Sequence, residues 1–97
     1  MIIRIVTYHA LPDKDAEGWA HGIASEVRST PGLRHIDFLR SDSDPTQYGS
    51  VWHFSTKEEL DSYKNSGTYQ QLVTSLRESW LDTSKPIIEQ VFEILDI

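Results

Sequence analysis

The sequence predicts an α+β fold of ferredoxin-like type, one antiparallel sheet with its helices on one side, in the order β-α-β-β-α-β. Three observations predict it. Apolar residues recur at helical spacing in two regions, Ala16 to Val27 and Leu60 to Trp80. Four stretches rich in β-branched and aromatic residues surround and separate those regions. Two of these stretches follow each other directly, joined by the polar turn Ser41-Asp42-Ser43-Asp44-Pro45-Thr46, so they form a hairpin. The expected strand order is 4-1-3-2.

Ile2 to Ala10 reads as the first strand, with Ile3 and Ile5 on one face and Ile2 and Val6 on the other. A strand apolar on both sides is usually covered on both sides. Leu11-Pro12-Asp13 ends it. Asp13 or Asp15 caps the first helix, because a short carboxylate accepts hydrogen bonds from the free N–H groups of the first turn. Ala16, Trp19, Ala20, Ile23, Ala24 and Val27 form its apolar stripe, and Thr30-Pro31-Gly32 stops it.

Leu33 to Arg40 is the second strand: Ile36 and Phe38 on one face, Leu33, His35, Asp37 and Leu39 on the other. Tyr48 to Phe54 is the third, with Tyr48, Ser50, Trp52 and Phe54 on one side. Ser55 with Glu58, or Thr56 with Glu59, makes a capping box for the next helix. Asn65-Ser66-Gly67 interrupts that helix. Thr68 with Gln71 restarts it, and Tyr69, Leu72, Val73, Leu76 and Trp80 supply its buried stripe. After the loop Asp82 to Pro86, Ile88 to Ile97 is the last strand. Ile88, Gln90, Phe92 and Ile94 share one face, and Glu89, Val91, Glu93 and Leu95 the other.

The 97 residues make one domain, 1–97. The apolar fraction is 38%, below the roughly 45–50% usual for a globular domain, so the core is thin. Val51, Val91, Leu95, Leu33 and Leu39 are expected on the open sheet face, mixed with His35, Asp37, His53, Glu89 and Glu93. A half-apolar exposed face on a short chain predicts a homodimer. The net charge is −6 and the 9 basic residues are scattered, which argues against nucleic acid as a partner. There is no cysteine, which excludes disulfides and thiolate metal sites and fits a cytoplasmic location. No apolar run approaches the ~20 residues of a membrane span. MIIRIVTYHA alternates as a strand does and does not read as a signal peptide.

Pro31-Gly32-Leu33, the hairpin, the strand ending in an aromatic, Ser55-Thr56-Lys57-Glu58-Glu59-Leu60, then Tyr63, Ser66 and Tyr69 resemble, in order and spacing, the antibiotic biosynthesis monooxygenase family. The resemblance covers nearly the whole chain. It implies a dimeric α/β barrel, two sheets packed face to face with helices outside. It also implies an oxidoreductase that acts on a phenol- or quinol-type small molecule without a cofactor, or a haem-degrading monooxygenase. Phe54 stands where the family often has tryptophan, and Tyr63 where it often has histidine. The haem-degrading branch uses an asparagine, that tryptophan and a histidine. Here those positions read approximately Val6, Phe54 and Val73, which argues against haem degradation. Ser50 and Thr74 lie near the polar positions of the phenol-oxidising branch.

The chemistry-bearing residues fall into two sets. Tyr8, Ser50, Trp52, Phe54, Tyr63, Tyr69 and Trp80 are the candidate pocket for a flat aromatic ligand, since rings favour offset stacking and a phenol can hydrogen-bond a ligand oxygen. His9, His35 and His53 fall on three neighbouring strands. If the hairpin is centred at Asp44, His35 and His53 are opposite each other; half a residue away, His35 pairs with Trp52. Tyr63, His53 and His35 are the candidate catalytic residues. With Asp37 or Glu93 the histidines also form a candidate metal set, but without tight ligand spacing, so no metal is expected. There is no GxSxG, Walker or GxGxxG motif. The expectation is a cofactor-independent monooxygenase-like dimer. The alternative is a non-catalytic ligand-binding or structural dimer of the same fold.

Overall fold

The structure, a computed structural model, describes residues 1–97. Four strands, β1 (Ile2–His9), β2 (Leu33–Arg40), β3 (Gln47–Phe54) and β4 (Ile88–Glu93), form one sheet in the order β2-β3-β1-β4. All neighbours run antiparallel. Three α-helices lie between them, α1 (Ala16–Arg28), α2 (Lys57–Lys64) and α3 (Gly67–Ser75), followed by a π-helical turn over Leu76–Trp80. The ferredoxin-like α+β class and the strand order are those that the sequence predicts.

Local chemistry explains the helix boundaries. Asp15 caps α1, its carboxylate accepting from the Gly18 N–H at 2.9 Å. Gly32, at φ 81°, takes the left-handed conformation that turns the chain into β2. Of the two candidate capping boxes the chain uses Thr56 with Glu59, whose N–H donates to the Thr56 hydroxyl at 3.2 Å. The α2–α3 break falls at the expected place, but the restart is capped by Ser66 and not by Thr68, with the Tyr69 N–H donating at 3.2 Å. The last strand is shorter than expected, Ile88–Glu93 and not to Ile97. β1 begins at Ile2, opposite Glu93, and beyond it the Ile94 N–H still donates to the Met1 carbonyl at 2.9 Å without extending the strand.

The helix-side core is Val27, Ile36, Trp52, Phe54, Leu60 and Tyr63, with Phe54 and Leu60 fully buried. Two register features correct the expected open face. β2 carries a bulge between Leu33 and His35, because Leu33 pairs with Phe54 while His35 pairs with His53. The extra residue turns Leu33 over to the helix side, where it packs on the core. On β4, Glu89 aligns with Val6, Val91 with Arg4 and Glu93 with Ile2, so these three lie on the helix side. Leu95 falls beyond the strand. The open face therefore carries Ile3, Ile5, Val51, Ile88, Phe92 and Leu39, beside His35, Asp37, His53 and Gln90.

Candidate functional site

A cavity of about 350 Å³ opens between the sheet and the helices. The sheet supplies Arg4, Val6, Tyr8, Phe38, Ser50, Trp52 and Glu89 to its wall. Trp19 and Ile23 come from α1, Tyr63 and Lys64 from α2, and Tyr69, Leu72 and Val73 from α3. Leu76 and Arg77, from the π-helical turn, complete the helical side. The stripe expected to be buried in α3 is only half-buried, because it faces this cavity and not a packed core. The π-helical turn closes with the Leu81 N–H donating to the Leu76 carbonyl at 2.9 Å. Such wide turns are frequent at functional sites.

The aromatic wall is continuous. Trp52 and Tyr63 have ring centroids 5.1 Å apart, and Tyr63 meets Tyr69 edge-on at 5.2 Å. The Trp52 indole N–H donates to the Ser50 hydroxyl at 2.7 Å, which fixes the ring and leaves the Ser50 proton free to point elsewhere. The Tyr63 hydroxyl is buried and has no hydrogen-bond partner. Burial pushes its pKa up to about 12, against the pull of the Arg4 charge. It therefore keeps its proton at neutral pH and can donate, but does not act as a base. Tyr8 is likewise pushed up to about 12, first by burial and then by Tyr48.

Arg4 is a charged residue inside this wall, 6% exposed. Its Nε donates to Glu89 Oε2 at 2.7 Å, and Lys64 Nζ donates to the other oxygen at 2.7 Å. The guanidinium carbon sits 5.4 Å from the Trp52 ring centroid and 5.6 Å from that of Tyr69. Burial pushes the Glu89 carboxyl up, but the hydrogen bonds and charges of Lys64 and Arg4 outweigh it, and it stays ionised below its ordinary range.

Of the residues proposed from sequence, Tyr8, Ser50, Trp52, Tyr63 and Tyr69 line this cavity. Phe54 does not: it lies fully buried, stacked parallel on Trp52 at 6.4 Å. Trp80 does not line it either, but packs against Trp19 at 6.0 Å, with the Lys14 ammonium over its ring. His35 and His53 lie on the opposite face of the sheet, facing each other, as the hairpin centred at Asp44 requires. No group of three His, Asp or Glu side chains is placed to hold a metal ion.

Sequence reasoning missed Arg4, Lys64, Glu89 and Arg77. A signal for the first was present: Arg4 alternates with Ile2, Val6 and Tyr8, so a charge had to enter the inward row, and a buried charge needs a partner.

A larger, more open cleft of about 450 Å³ runs between α1 and the hairpin, past Arg28, Arg40 and Tyr48. Arg40 is already paired with Glu17 at 3.2 Å, and both are well exposed. The cleft shares Tyr8 with the smaller cavity, but of the two only the smaller is lined by the buried, unpartnered Tyr63 hydroxyl and the buried Arg4. No helix is long and apolar enough to cross a membrane.

No curated protein matches the chain. Solved structures do. A Deinococcus radiodurans protein assigned to the antibiotic biosynthesis monooxygenases superposes with a TM-score of 0.84 at 15% identity, over 100% of this chain and 95% of that one. A Nitrosomonas europaea protein of the same assignment gives 0.78 at 22% identity, over 98% and 99%. A third, from Bordetella bronchiseptica, gives 0.77 at 16% identity, over 97% and 96%. At these identities the likeness shows a shared fold. The family model for antibiotic biosynthesis monooxygenases matches residues 1–75, from β1 through the end of α3. The chain belongs to the antibiotic biosynthesis monooxygenase family.

Proposed function

We propose that this chain is a cofactor-independent monooxygenase-like protein that takes an aromatic, phenol- or quinol-type molecule into the cavity beside Tyr63. The observation that carries the reading is the Tyr63 hydroxyl, buried without a partner in a wall of Trp52 and Tyr69 rings. A buried polar group normally has a partner, and a ligand oxygen would supply one. An electron-rich phenol reduces oxygen most readily as its phenolate. The cavity has no free base, but the Arg4 and Lys64 charges favour the anion and so lower the pKa of a bound phenol. The ring of the ligand would lie against Trp52 and Tyr69.

We further propose that the protein works as a homodimer. The support is the open sheet face, where Leu39, Ile88 and Phe92 are 40, 51 and 49% exposed. It is carried out in the cytoplasm, a location consistent with the absence of cysteine.

A second reading is a non-catalytic ligand-binding dimer. It is favoured by one observation: the only carboxylate in the cavity, Glu89, is already held by two cations, and no histidine lines the wall. Oxygen uptake by the pure protein with a panel of quinols and polyphenols separates the two. The first reading expects protein-dependent uptake that Tyr63→Phe reduces. Binding of aromatics without uptake would leave the second.

A further inference from the structure

We propose that the ligand of this cavity is a flat aromatic acid, whose carboxylate docks on the two terminal nitrogens of Arg4. The inference rests on the reading that the cavity takes an aromatic molecule, and it adds the charge and the anchoring atoms of that molecule.

The first argument is unmet hydrogen bonding. The Arg4 side chain makes one hydrogen bond within the protein, from Nε to Glu89. Its two terminal nitrogens carry four N–H donors and have no protein acceptor, although the residue is 6% exposed. An apolar ligand filling the cavity would strip water from those donors and give nothing back, which is costly, and a single neutral oxygen would meet only part of them. A carboxylate meets both nitrogens at once in the parallel two-point geometry that guanidinium and carboxylate share.

The second argument is charge. The wall carries Arg4, Lys64 and Arg77 against the single carboxylate of Glu89. Three cations to one anion is an excess of positive charge in a chain whose net charge is −6. Glu89 does not compete for the free end of Arg4, because it is held at Nε and by Lys64.

The third argument is orientation. Trp52 and Tyr69 lie against the guanidinium within cation–π distance, so its plane is held before any ligand arrives. A carboxylate docked there carries its own ring along the same aromatic wall. The unpartnered Tyr63 hydroxyl, which also lines the cavity, is then available to a second polar substituent.

The test uses 2-naphthoic acid and its near-isosteric neutral amide, 2-naphthamide, titrated against the intact protein by tryptophan fluorescence and calorimetry. The acid should bind at least about tenfold tighter at low salt, and the gap should shrink as salt is raised. Arg4→Lys keeps the charge and a partner for Glu89 but loses the two-point fork, so it should remove most of the preference. Arg77→Gln, a change at an exposed position, should narrow the gap about threefold without unfolding the protein. Circular dichroism checks both variants. Equal binding of acid and amide, no binding of either, or an undiminished preference in a folded Arg4→Lys protein would overturn the proposal. Quinol oxidation is read separately. Oxidation without an acid preference defeats this inference alone, and an acid preference without oxidation defeats the catalytic reading alone.

Discussion

His35 and His53 stand directly opposite each other on β2 and β3, ring centroids 5.6 Å apart and tilted 63°. His35 Nε2 is 2.9 Å from Asp37 on the same strand. The pair occupies the face of the sheet away from the Tyr63 cavity, in the row that also holds Ile3 and Phe92. His35→Gln and His53→Gln are therefore expected to leave quinol oxidation within about twofold. Phe92→Glu should instead split the proposed dimer, since it places a charge in an apolar face. Light scattering at micromolar concentration reads the change. A wild-type protein that is monomeric there removes the dimer from the proposal.

Tyr63→Phe separates stability from function. Its hydroxyl is desolvated and unpartnered, so deleting it should leave stability unchanged or raise it by up to about 1 kcal/mol. Oxidation of a bound phenol should fall by about tenfold or more, because the one buried hydroxyl that lacks a partner in the protein is gone. Urea unfolding and oxygen uptake measure the two. A large loss of stability would mean that the hydroxyl has a partner in solution.

Alkaline stability should report Tyr8 and Tyr63 together. Both have folded pKa values of about 12, above the ordinary 10.0. Between those values the unfolded chain loses the proton and the folded one keeps it. Their contribution is whole below pH 10.0 and is lost as the pH rises towards about 12. The slope is at most about 1.4 kcal/mol per pH unit for each tyrosine. Tyr8→Phe and Tyr63→Phe should each flatten this limb in urea titrations at pH 9 to 12.

Acid stability should report Glu89. Its folded pKa lies below the ordinary 4.5, so its contribution is present above that pH and is lost as the pH falls through the folded value. Glu89→Gln should flatten the acid limb below pH 4.5. The same change should weaken the protein at neutral pH, because it leaves the nearly buried Arg4 with a poorer partner. Equal pH slopes in the two proteins would show that Glu89 is not paired in solution.

Much of the architecture was legible because it rests on local rules. Period-two and period-3.6 patterns placed the strands and helices, and Asp15 and Thr56 lay among the named caps. Even the hairpin register was one of two choices offered by the turn. What escaped depended on distant pairing. No glycine or proline marks the bulge at Arg34, and it alone moves Leu33 across the sheet. The face of Glu89 follows from how β4 aligns with β1, two strands joined by no tight turn. The site was half legible for the same reason. Aromatics advertise a pocket from their own strand, as Ser50 and Trp52 do. The Arg4–Glu89 pair, 85 residues apart in sequence, exists only once the edge strand is in register.

The π-helical turn at Leu76–Trp80 has a bearing on which lengths of chain this fold accepts. Each residue in a helix rotates the next side chain by about 100°. The wide turn holds one residue more than an α-turn would, and that residue sets the phase in which the chain leaves the helix. Trp80 is delivered onto Trp19, and Leu81 onto its bridge with Ala10. Removing a single residue here would swing both away from their partners. Homologous chains should therefore hold their residue count between Leu76 and Leu81.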